Sequence, residues 1–246
     1  MMQGLLAVAD LILLSAASYE VSHIQRSIPF PPIRLERLVK YLVEAAQRSP
    51  LPLEEARERG LDIGRGDITR FFKRLGLIEV VDGRITPTQA AYELLSLYNL
   101  LGNAVFHVVF YSALIQYKLL YDIVREKGEA GLDELRDELN RRMREISPST
   151  WVNDVAFKSL VSFGVDVGAF KRRGRSLQYA GNPISKAIAA AFGGAAIGGS
   201  AYVPDIPEWL AHCARRVMPT GVMAVDESCA AKAVEDRLIS LIKIRP

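Results

Sequence analysis

Histidine and cysteine are scarce in this chain: three and two among 246 residues. Two cysteines, Cys213 and Cys229, are too few for a disulfide framework or a four-ligand zinc set. A reducing, cytoplasmic setting follows as the expectation. His23, His107 and His212 sit in separate segments without ligand spacing, so neither a metal nor a histidine-based catalytic group is expected. His107 lies in an apolar run and reads as a core histidine. His212-Cys213 and Cys229 read as packing residues. The small-residue run 193–200 (GGAAIGGS) lacks the Gly-Lys-Ser/Thr of a phosphate loop and has no strand before it. No cofactor and no enzymatic activity are therefore expected.

Long apolar runs are also missing. Residues 5–17 are interrupted by Asp10 and are too short to span a bilayer. Residues 104–115 carry His107 and are bounded by Asn103, Gln116 and Lys118; polar groups inside a bilayer are costly, so a buried helix between domains is the expectation, with no membrane partner. Charge of one sign is sparse too, at a net +3. The excess is concentrated: 11 Lys/Arg against 9 Asp/Glu in 34–86, and 13 against 10 in 113–186. Half of the residues are apolar and 24% are charged, an ordinary balance for a folded chain.

What is present is helical periodicity punctuated by turns. Residues 1–25 read as helix, and the proline-rich segment 28–33 as a connector. In 34–48, Leu35, Leu38, Val39, Leu42, Val43 and Ala46 follow helical spacing. Ser49-Pro50-Leu51-Pro52 stops that helix, a short one follows over 53–58, and Asp67 begins a third over 67–75. Two β-prone runs then flank Asp82-Gly83, a strong hairpin signal. A long helical stretch follows over 87–123. The order recurs downstream. Residues 114–124 are helical, Glu129-Ala130-Gly131 is a break, and Leu132, Leu135, Leu139 and Met143 stripe the next helix. Ser147 to Thr150 is a turn. Residues 151–163 form a third helix with Val152, Val155, Ala156 and Leu160 inward, ended by Gly164. The β-prone runs 165–170 and 176–179 flank Lys171-Arg172-Arg173-Gly174-Arg175. Two more helices are expected over 206–217 and 227–244.

The order of three helices and a hairpin, with the third helix running straight into the hairpin through the stretch FFKRLGLIEVVDGRIT, resembles the winged helix-turn-helix family. The resemblance covers 34–90 and, less specifically, 113–182. It implies a mainly α fold with two small β-hairpin wings: tandem winged helix-turn-helix domains joined by long helices. The segments would be an N-terminal helix and connector (1–33), a first winged helix (34–90), a linker helix (91–112), a second winged helix (113–182) and a C-terminal helical extension (183–246).

For such a protein the expected partner is double-stranded DNA, and transcriptional regulation the expected use. The third helix of the first module offers Arg65, Thr69, Arg70, Lys73 and Arg74 opposite its apolar face, with Arg84 on the hairpin. A major groove admits a helix, where Arg reads guanine and Lys or Thr holds phosphate. In the second module Lys171, Arg172, Arg173 and Arg175 concentrate charge at a hairpin tip suited to phosphates, and Lys158 is the one cation on the third helix. Arg136, Arg141, Arg142 and Arg144 read as paired with neighbouring acids at helical spacing. The alternative is a protein-binding scaffold of a nucleic-acid-processing or chromosome-organising complex. A homodimer or protein partner would then dock through 91–125 and 187–246.

Overall fold

The computed structural model describes residues 33–62, 67–192, 207–217 and 222–242. The expected N-terminal helix and its connector, Arg65, and the small-residue run at 193–200 lie outside them. The chain is mainly helical, with two small three-stranded antiparallel sheets and one two-stranded sheet.

The first unit opens with α1 (Leu35–Gln47), whose apolar stripe buries Leu35, Leu38, Tyr41, Leu42 and Ala45. Pro50 and Pro52 stop the helix, but they do not make a plain loop. Leu51–Pro52 is a short strand, β1, that pairs with the later β3. Pro52 lacks an N–H and sits at the sheet edge, where the missing donor costs least. There follow α2 (Leu53–Glu58), α3 (Asp67–Arg74), β2 (Ile78–Val81) and β3 (Arg84–Pro87), in sheet order β1-β3-β2. The two-residue turn is Asp82-Gly83, both at positive φ (50° and 72°), the conformation a tight hairpin demands.

The same order of elements appears again. It runs α6 (Ile115–Lys127), β4 (Glu129–Gly131), α7 (Leu132–Ile146), α8 (Asp154–Asp166), β5 (Phe170–Arg173) and β6 (Ser176–Tyr179), in sheet order β4-β6-β5. Five expectations are corrected here. The break at 129–131 is a strand. The third helix starts and ends three residues later than its expected 151–163: the Asn153 side chain caps it by accepting from the Ala156 N–H at 2.8 Å. Gly164 lies inside the helix rather than ending it, because the Phe170 ring packs where a side chain would stand, 2.2 Å from an added Cβ. The inward face differs as well: Phe157, Leu160, Val161 and Phe163 are buried, and Val155 is 49% exposed. The 165–170 run contributes only Phe170 to a strand, and the basic residues Lys171 to Arg173 are themselves β5.

Between the units run α4 (Gln89–Leu101), a 3-10 turn (Gly102–Ala104) and α5 (Val105–Ala113). The span 89–113 has the length and mean hydropathy, 1.4, of a membrane-crossing helix, and 56% of its most apolar window is buried inside the protein. Every residue from Val105 to Phe110 is buried. α5 packs on α6 and on two later helices, α9 (Pro183–Phe192) and α10 (Glu227–Leu241). Its Phe110 ring touches Phe71 of α3 (6.4 Å between centroids) and stacks on Phe163 of α8 at 4.6 Å.

The C-terminal part departs most from expectation. Residues 206–217 are not one helix; a 3-10 turn (Glu208–Cys213) leads into β7 (Ala214–Val217), which pairs with β8 (Val222–Val225). The cysteines are not separate packing residues: Cys213 and Cys229 form a disulfide with Cα atoms 5.5 Å apart, tying the 3-10 turn to the start of α10.

Candidate nucleic-acid interface

α3 is held in place by a buried polar knot. Asp62, 7% exposed, accepts from the Ile68 N–H at 3.0 Å and so satisfies a first-turn amide of α3. Asp62 also accepts a hydrogen bond from the Thr69 hydroxyl, and Thr69 Oγ1 lies 2.6 Å from the Tyr41 hydroxyl on α1. Burial pushes the Tyr41 hydroxyl pKa well up, so it stays protonated as a neutral partner. Thr69 thus points inward at 7% exposure, contrary to its expected place on a DNA-facing surface. The Thr69 hydroxyl serves the core because Ile68 and Phe72, both fully buried, rotate that edge of the helix toward α1. Thr69→Val is accordingly expected to cost about 1–3 kcal/mol, since it strips Asp62 and Tyr41 of a buried partner. Duplex binding by the folded protein should not change. A urea melt with a duplex titration checks both; a loss below half a kcal/mol would remove the knot as a stabilising feature.

Four of the cations expected to face DNA in this unit do reach the surface. Arg70 and Lys73 are exposed, Arg74 is half-buried, and Arg84 is exposed on β3 beside the hairpin turn. Arg70, Lys73 and Arg74 lie three and four residues apart and share one face of α3.

In the second unit, Lys171, Arg172, Arg173, Gly174 and Arg175 are all exposed. Among the described residues none of the four cations is in an ion pair. Antiparallel register divides them. Arg172 stands opposite buried Leu177, on the inward face of the hairpin, while Lys171 and Arg173 stand opposite Gln178 and Ser176 on the outer face. Three of the four α7 arginines are neutralised, partly by acids on neighbouring helices rather than at helical spacing alone, while Arg144 is exposed and in no ion pair among the described residues. Arg142 bonds Glu126 at 2.5 Å and Glu138 at 2.9 Å, Arg141 bonds Glu138 at 2.7 Å and also Glu145, and Arg136 bonds Asp154 at 2.7 Å. The two guanidinium groups hold the Glu138 carboxyl down to about 2.

Lys158 is exposed on α8 but does not lie on a convex reading face. That face is recessed, forming one wall of a cavity of about 550 Å³ between the start of α7, α8 and the hairpin. No spacing signal pointed to the cavity, because it depends on how α7, α8 and the hairpin meet. At the head of the same helix Trp151 and Val155 are 58% and 49% exposed.

His212, Cys213 and Cys229 bring three soft donor atoms within 4.8 Å of one another, but the two sulfurs are bonded to each other. His107 is buried, with Nδ1 2.9 Å from the Tyr117 hydroxyl. No protein-family model matches this chain, and neither a curated protein nor a solved structure is similar to it.

Proposed function

We propose that this chain is a double-stranded DNA-binding protein built from two winged helix-turn-helix units, with a regulatory use. The observation that carries this reading is the second hairpin: four exposed cations in five residues, none neutralised by an acid among the described residues, whereas three of the four α7 arginines are paired. Unpaired cations on a projecting hairpin suit a phosphate backbone. The twice-repeated order of helix, strand, two helices and hairpin supports the architecture. Arg70, Lys73, Arg74 and Arg84 would supply the first unit's contacts.

The test is a salt series on a mixed-sequence duplex. Affinity should fall steeply with salt, and Lys171→Gln with Arg173→Gln should lower the slope of log affinity against log salt by about one to two units, since each neutralised phosphate contributes about 0.9. Equal loss on all sequences is expected, because phosphate contacts carry no sequence information. An unchanged slope removes the hairpin from the DNA surface.

One observation favours a second reading, the protein-binding scaffold. Trp151 and Val155 form an exposed apolar pair at the head of α8, where a DNA-reading helix would carry polar groups.

A further inference from the structure

We propose that the recess of the second unit is a binding site for a small organic carboxylate with an apolar body, of the size of a medium-chain fatty acid. The inference goes beyond the DNA-binding reading and does not depend on it. The cavity, about 550 Å³, falls in the range of small-molecule sites. Its apolar lining comes from two helices: Leu132 of α7, and Phe157, Val161 and Val165 of α8. The spacing of Phe157, Val161 and Val165, four residues each, puts them in one row along the helix.

The charges around that lining are not balanced within it. Asp133 and Asp154 both border the recess, and both lie against Arg136, at 3.9 and 2.7 Å. Arg136 answers one of these two carboxylates, so with Lys158 and Arg172 the lining carries a net charge of +1. Lys158 and Arg172 also border the recess, and neither is ion-paired among the described residues. Arg172 is there because of register: it shares the inward hairpin face with buried Leu177, so its side chain borders the recess beside α8 while staying exposed. Its own hydrogen bond is a long one, Nε to the Gly174 carbonyl at 3.3 Å. Two cations over an apolar floor match an anionic head on an apolar body. A bare inorganic anion would leave the floor uncovered, and an uncharged apolar molecule would leave the two cations unanswered.

The experiment titrates octanoate into the full chain by calorimetry, with 1-octanol and octylammonium as the matched uncharged and cationic probes and no DNA present. One saturable octanoate site is expected, with octanol at least tenfold weaker and no binding of octylammonium. Lys158→Gln with Arg172→Gln should weaken octanoate at least tenfold. Lys171→Gln with Arg173→Gln removes the same charge from the outer hairpin face and should change it less than twofold. All four positions are exposed, so both variants should fold, which thermal melts verify. Ser162→Trp, at a half-buried position lining the recess, should abolish binding by filling it. Absence of a saturable octanoate site overturns the proposal. So does octanol binding as well as octanoate, or equal losses from the two double variants, which would mean diffuse surface charge. Because no duplex is present, failure here leaves the DNA-binding reading standing, and a failed salt series leaves this one standing.

Discussion

Phe110→Ala is expected to destabilise the whole chain by about 3–5 kcal/mol, the cost of emptying a buried phenyl site that cannot collapse. The position is fully buried in the middle of α5. Its ring meets Phe106 at 6.0 Å, Tyr117 at 5.6 Å, Phe163 at 4.6 Å and Phe71 at 6.4 Å. Those partners come from α5 itself, α6, α8 and α3, so one side chain touches both repeated units. α1 also packs against α8. The two units therefore share a core, and wild type should unfold in one cooperative transition rather than two. Phe110→Leu keeps most of the volume and should cost less than half as much as Phe110→Ala. Urea melts followed by far-UV and near-UV circular dichroism check this. Two separated transitions in the wild type, or a loss under 1 kcal/mol for Phe110→Ala, would show that the units are not joined through this ring.

Much of this architecture was legible in the residues, and the reason is periodicity. The α1 stripe, the short helix Leu53–Glu58 and the Asp82-Gly83 hairpin come from local rules that tertiary packing did not override. The strands β1 and β4 were not legible, because two or three residues carry no alternation and exist only through pairing with β3 and β6. Gly164 was misread for a related reason: its signal as a helix end is local, whereas its place inside α8 is set by the ring of Phe170 arriving from β5. The candidate site turned on which side of α8 packs: Phe157 and Val161 rather than Val155 face the core, and the hairpin beside the helix makes a recess of what reads as an open face. Thr69 illustrates the limit of wheel geometry, since a short polar side chain at the edge of the apolar face can serve either side. The Cys213–Cys229 bond was beyond reach because two cysteines sixteen residues apart say nothing of proximity until β7 and β8 fold back on each other.

His107 gives the chain an expected acid sensitivity. Its ring is buried in α5 among Tyr111, Tyr117 and Tyr121, with centroids 5.8, 5.8 and 4.6 Å away. Among the described residues no carboxylate contacts the ring; Asp122 lies beyond it, 3.4 Å from the Tyr111 hydroxyl. Burial therefore acts almost alone, and brings the imidazole from 6.5 down to about 4. The sign follows from proton counting. Above pH 6.5 neither the folded nor the unfolded chain binds a proton here, and the group adds no pH dependence. As the pH falls below 6.5 the unfolded chain takes the proton first, so unfolding gains on folding until about pH 4, where the folded ring also charges. The gap is worth on the order of 3 kcal/mol across that window. Carboxylates in ion pairs, Glu138 above all, are held low and lose their partners mainly at the acid end. A variant separates the two effects. His107→Gln keeps a polar group in reach of the Tyr117 hydroxyl but takes no proton. It should be less stable than wild type at pH 7.5, and the difference should shrink by about 2–3 kcal/mol on going to pH 4.5. Urea melts of both proteins at the two pH values measure this directly. A difference that stays constant between pH 7.5 and 4.5 would mean that His107 is reached by water and titrates near its ordinary value.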